Sequence, residues 1–108
     1  MSDANAMQTR MSELALKFVF RTRDDVAQMR EALAGLDGGT GGGLELIRQL
    51  AHRACGTGGT LGMDRLSDAA GNLERLIDAM PADKLPDDSA RKRIAASLDA
   101  IAAQLEQQ

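Results

Sequence analysis

Apolar residues recur along most of the chain at intervals of three and four positions, the spacing of one face of an α-helix. This pattern covers four stretches, at residues 11–36, 44–61, 66–80 and 94–105. Almost no stretch shows the alternation of apolar and polar residues that is typical of a β-strand. We therefore predict an all-α fold, an antiparallel four-helix bundle with short connections and an aliphatic core.

The first stretch is longer than the others, and it predicts either one long helix or two helices in series. Thr22 and Asp25 have the spacing of a capping box, which would divide the stretch at that point. We therefore expect an additional N-terminal helical segment beside the bundle. Residues 1–10 are small and mostly polar, so we expect them to form a disordered tail that precedes a single domain at residues 11–108.

Composition excludes several classes of protein. The chain carries 13 basic and 16 acidic residues, a formal net charge of -3, which disfavours electrostatic binding to nucleic acid or to an anionic membrane. It has neither the features of a signal peptide nor the roughly 18 consecutive apolar residues of a membrane span. One histidine and one cysteine are too few for a zinc site, so we expect no metal. The single cysteine fits a reducing compartment, and we expect a cytoplasmic protein.

The 11 glycines fall mainly into two clusters. The cluster at residues 37–43 is typical of a flexible loop, because it has neither the Gly-Lys-Ser/Thr ending nor the preceding strand of a phosphate-binding loop. The cluster at residues 56–62 lies in the second predicted helix, where each glycine costs roughly 1 kcal/mol relative to alanine. Either that helix ends near Cys55, or some function requires a surface without side chains.

The single histidine lies beside the second cluster. With about 100° per residue, His52 points roughly 145° away from the apolar face of its helix and so towards solvent. Gly56 follows one turn later on the same side, Gln49 shares the polar face, and Gly59 lies near its edge. The pattern predicts an exposed imidazole beside a turn without bulky side chains. A surface histidine without any role is the alternative at this point.

The sequence around His52 resembles a known signature. Residues 50–62 read LAHRACGTGGTLG, and residues 63–74 continue as MDRLSDAAGNLE. This segment is similar to histidine-containing phosphotransfer (Hpt) domains, in which the phosphorylated histidine is followed by glycine four and ten residues later. Gly56 and Gly62 occupy those two positions. The chain length and the number of helices also fit the family.

The resemblance implies a phosphoryl carrier without an ATP site. His52 would accept the group from the aspartyl phosphate of a receiver domain and pass it to another receiver, in a response regulator or a hybrid histidine kinase. Glu74 would accept a hydrogen bond from the Nδ1 of the ring and orient it. Gly56, Gly59 and Gln49 would form the docking face. We expect a monomer without cofactors of its own, with Mg²⁺ supplied by the receiver.

One position departs from the family pattern. Hpt domains often have a lysine three residues after the histidine, and this chain has Cys55 there. Arg48 and Arg53 are candidates for supporting the phosphoryl charge in its place. The missing lysine favours a second interpretation, an adaptor that binds a receiver or a kinase and inhibits or scaffolds it without being phosphorylated. A helical dimerisation module with an incidental histidine is a third.

Overall fold

A computed structural model describes residues 3–36, 42–81 and 84–107, and over these ranges the chain is helical with no strand. The four helices are α1 (Asp3–Ala34), α2 (Gly43–Thr60), α3 (Asp64–Asp78) and α4 (Asp88–Glu106). Each packs against two neighbours, because α1 contacts α2 and α4, and α3 contacts the same two. The prediction of an all-α helical bundle is confirmed.

The core is aliphatic and lies along the common axis of the four helices. Its largest fully buried side chains come from all four predicted apolar faces and include Met29, Ile47, Leu66, Leu73, Ile94, Leu98, Ile101 and Leu105. Ala51, Ala54 and Ala70 are also buried, and their small side chains let the helix backbones approach closely. The periodicity of the sequence therefore specifies which face of each helix turns inward.

The first helix is continuous, so of the two alternatives the structure has the single long helix. Thr22 does not cap a helix, because its buried hydroxyl donates to the carbonyl of Phe18 one turn earlier, at 2.7 Å. Within residues 5–34 of α1, Phe18 is the first that is buried, and the segment before it is the additional N-terminal helical segment. Its side chains are mostly exposed, among them Met7, Met11 and Leu14.

The sequence predicts two irregular regions, and the structure describes them to different extents. Residues 3–10, which we expected in a disordered tail, form the first turns of α1. The loop at residues 37–43 lies mostly outside the described residues, and its last residue, Gly43, begins α2. None of the described helices combines the length and the hydropathy that crossing a lipid bilayer requires.

Helix α2 does not end near Cys55 but continues through the second glycine cluster to Thr60. It stops at Gly62, which adopts a left-handed backbone conformation with φ of 77°. The N–H of Gly62 donates to the carbonyl of Gly59 at 3.2 Å, and the N–H of Met63 donates to that of Gly58 at 2.8 Å. This is a Schellman C-cap, and it turns the chain sharply into α3.

The last helix begins with a side-chain cap. The Asp87 carboxylate accepts a hydrogen bond from the backbone N–H of Ala90 at 2.8 Å, which satisfies one of the free donors of the first turn. The neighbouring Asp88 has the same side chain but is not the capping residue. Asp88 is instead the first residue of α4.

We expect alanine at Gly62 and at Gly56 to change stability in opposite directions. Gly62→Ala should lower the free energy of unfolding by about 1–2 kcal/mol, because a Cβ is strained in the left-handed region. Gly56→Ala should raise it by about 0.5–1 kcal/mol, because Gly56 lies inside a helix and its Cβ would meet open space. Urea denaturation measures both, and equal signs would contradict this assignment of the C-cap.

Candidate functional site

His52 lies near the middle of α2 and points away from the core. The side chain is 72% exposed, whereas the adjacent Ala51 and the nearby Ala54 are buried. The rotation of α2 that buries the two alanines thus places the imidazole in solvent. The exposed orientation is the one that the helical periodicity predicted.

Glu74 on α3 reaches across to the imidazole. Its Oε2 lies 2.8 Å from His52 Nδ1. An ionised carboxylate only accepts hydrogen bonds, so Nδ1 carries the proton and donates it. Glu74 lies between the buried Leu73 and Ile77 on its helix, and only 17% of its side chain is exposed. The bond selects the tautomer in which Nε2, on the other side of the ring, keeps its lone pair.

Gly56 leaves an open space one turn after His52. Apart from its chain neighbours and the nearby backbone of its own helix, a Cβ built at this position would meet no described atom within 4 Å. The backbone carbonyl of Gly56 is not left free, because the Thr60 hydroxyl donates to it at 3.0 Å. None of the contacts among the described residues therefore requires glycine here, and the surface beside the imidazole is bare.

The other residues of the expected docking face lie at its edges. Gln49 is exposed and donates to Glu45 at 3.1 Å on the same helix. Gly59 is exposed on the side nearest α3, where an added Cβ would lie 3.4 Å from the Ser67 hydroxyl. Gly58 is buried and faces α3, where a methyl group would make ordinary contact with Ser67.

Arg53 contacts α1. Its Nη2 lies 2.9 Å from both carboxylate oxygens of Asp25, whose side chain is only 4% exposed. The sequence analysis did not predict this ion pair, because the spacing of Thr22 and Asp25 indicated a capping box instead. The structure therefore gives the Arg53 guanidinium a structural partner between α1 and α2.

Arg48 contacts α3, one turn before His52. Its Nε donates to Asp78 Oδ1 at 2.6 Å, and its Nη2 lies 3.8 Å from Glu74 Oε2. The hydrogen bond and the negative charge of Asp78 raise the pKa of Arg48 above its ordinary value. Sequence reasoning missed Asp78, although the pairing of His52 with Glu74 sets the register that also brings Arg48 to Asp78.

Comparison with protein families gives one decisive match. The family model of the Hpt domain matches residues 13–108, nearly the whole chain. The chain belongs to the Hpt domain family. Hpt domains are phosphotransfer carriers of phosphorelays, and they interact with receiver domains. Neither the curated proteins nor the solved structures contain a match to it.

In this Hpt domain, Cys55 lies between α2 and α3. The thiol is partly buried, with Sγ 3.6 Å from the Ser67 hydroxyl, and that hydroxyl donates to the Cys55 carbonyl at 2.7 Å. A Cβ at Gly71 would come within 3.2 Å of the sulfur. Cys55 therefore packs against α3. No group of three or more metal-ligating side chains occurs among the residues that the structure describes.

We expect Glu74→Leu to reduce the fraction of His52 in the Nδ1–H tautomer, because leucine offers no acceptor to Nδ1. Glu74→Gln is the matched control, since its amide oxygen can still accept that bond. Long-range ¹⁵N–¹H NMR correlations of the imidazole at a pH where the ring is neutral measure the two tautomers. Unchanged tautomer fractions in Glu74→Leu would show that the contact does not control the ring.

Proposed function

We propose that this Hpt domain carries a phosphoryl group on His52 and relays it between aspartates of receiver domains. The observation that supports this most strongly is the exposed imidazole whose Nδ1 is bonded to Glu74. A histidine that only covered the surface would not need a carboxylate from another helix to fix its tautomer. A nucleophile needs that tautomer, because its Nε2 must keep a lone pair.

The proposed transfer is an in-line displacement at phosphorus. The Nε2 lone pair attacks, an N–P bond forms, and the bond between phosphorus and the receiver aspartate breaks, which returns that residue as a carboxylate. The ring becomes positively charged, and Glu74 stabilises this charge through the bond from Nδ1. In the onward step a second receiver aspartate attacks phosphorus and the imidazole leaves. The receiver supplies Mg²⁺, so the Hpt domain needs no cofactor of its own.

The open surface beside His52 supports docking of a whole partner domain. A receiver must bring the phosphorus of its aspartyl phosphate to within about 3–3.5 Å of Nε2, which requires close approach of two folded domains. Gly56 adds no side chain to this surface, and Gln49 and Gly59 border it. One copy of the chain presents all these groups, so we propose a monomer that works with cytoplasmic receivers of response regulators or hybrid kinases.

A second function, a non-phosphorylated adaptor, is favoured by one observation. Cys55 has no cationic group, and the described ion pairs of Arg48 and Arg53 are all with carboxylates. The two arginines that flank His52 in sequence thus each have a carboxylate partner within the chain. An adaptor would use the same surface to bind a receiver or a kinase and would block or scaffold it.

Incubation with phosphorylated receivers and Mg²⁺ separates these two functions. We expect the wild-type protein to gain a phosphate that is labile in acid and stable in alkali, the behaviour of phosphohistidine. His52→Gln should gain none while its circular dichroism and urea midpoint stay close to wild type, because the side chain is exposed. Receiver binding without any label, across several receivers, would support the adaptor and exclude the carrier.

A bulky side chain at position 56 should slow transfer without unfolding the protein. We expect Gly56→Leu to lower the transfer rate about tenfold or more, because displacement of the partner by even 1 Å removes the aligned geometry. Ala27→Leu, at an exposed position of α1, is the matched control and should transfer at the wild-type rate. Equal rates for the two variants would show that the partner does not approach over Gly56.

A further inference from the structure

Two polar contacts join α2 and α3 on the same side of the bundle. His52 meets Glu74 at 2.8 Å, and Arg48 meets Asp78 at 2.6 Å. Arg48 lies one turn before His52 on α2, and Asp78 lies one turn after Glu74 on α3. Because the two helices are antiparallel, the contacts are successive rungs of one ladder. The second rung has no part in the function proposed above.

A third contact, between Arg48 and Glu74, connects the two rungs. Glu74 Oε2 accepts the hydrogen bond from His52 Nδ1, and the same oxygen lies 3.8 Å from Nη2 of Arg48. Arg48 in turn donates through Nε to Asp78, in a short charge-assisted bond. A continuous chain of contacts therefore runs from the imidazole through Glu74 and Arg48 to Asp78.

The charges around Arg48 make it necessary to this arrangement. Three carboxylates lie within 4.0 Å of its guanidinium, those of Glu45, Glu74 and Asp78. Without the guanidinium they would repel one another, and the Glu74 rotamer that faces His52 would lose the neighbouring positive charge that stabilises it. Asp78 holds the guanidinium through Nε and leaves Nη2 directed at Glu74.

We propose that Arg48, anchored by Asp78, is a positioning residue that holds the Glu74 carboxylate on His52 Nδ1. This inference rests on the proposed function of His52. It assigns Arg48 an indirect role, in which the arginine affects phosphoryl transfer only by positioning Glu74. Arg48 fixes the tautomer through Glu74 and does not itself contact phosphorus. The anchoring bond to Asp78 is the feature that distinguishes this role from direct support of the phosphoryl charge.

Two variants and two matched controls test the proposal. Arg48→Gln removes the positive charge, and Asp78→Ala removes the anchor but keeps the arginine. Arg30→Gln and Asp99→Ala break a comparable pair, 3.0 Å long, that lies between α1 and α4. For each protein, ¹⁵N NMR measures the tautomer of the neutral His52 ring without any receiver, rapid quench measures phosphotransfer, and urea denaturation checks the fold.

Arg48→Gln and Asp78→Ala should both lower the Nδ1–H fraction of His52. Transfer should fall roughly tenfold in Arg48→Gln, as for other groups that orient a reacting side chain, and by a smaller factor in Asp78→Ala. The Arg30 and Asp99 variants should match wild type in tautomer and in rate. A loss of stability alone would not move the tautomer of a folded protein.

Two outcomes would overturn the proposal. One is an unchanged tautomer in Arg48→Gln. The other is slow transfer in Arg48→Gln with undiminished or faster transfer in Asp78→Ala, because a released arginine that acts directly on the phosphoryl group would gain freedom. If the tautomer shifts as expected while even the wild-type protein accepts no phosphate, the positioning role stands and the proposed function of His52 fails.

Discussion

The hydrogen bond between His52 and Glu74 depends on how α2 and α3 are rotated and aligned. The bond forms only if α2 buries Ala51 while it exposes His52. It also requires that α3 bury Leu73 while Glu74 lies at the edge of the buried face of that helix. The same rotations complete the apolar core, so packing and site geometry are set together. Exposure of the imidazole and its contact with Glu74 thus follow from the burial of aliphatic side chains one position away.

The glycines of α2 show where stability and function diverge. At Gly62 the left-handed turn explains the glycine, because an L side chain would be strained there. At Gly56 the chain offers room for a side chain, and a helix would be more stable with one. The described contacts give no structural reason for glycine at position 56, and its effect is an unobstructed surface beside the imidazole.

Much of this arrangement could be predicted from the sequence, because burial repeats with the helical period. The four helices, the exposed His52 and the place of Glu74 at the edge of its apolar face all follow from that period. The continuity of α1 and the partner of Arg53 do not, because Asp25 is buried by a contact between helices that local spacing cannot reveal. The pairing of Arg48 with Asp78 depends likewise on register, which is fixed only once one rung between the helices is known.

The exposed beginning of α1 divides that helix into two thermodynamic parts. From Phe18 onwards its residues contribute to the common core, so their amide hydrogens can exchange with solvent only when much of the bundle opens. Residues 5–17 are nearly all exposed and have no such support, and an isolated helix of fewer than about 15 residues is marginal in water. This part can therefore unwind and re-form by itself, while the bundle, His52 and its contact with Glu74 remain intact.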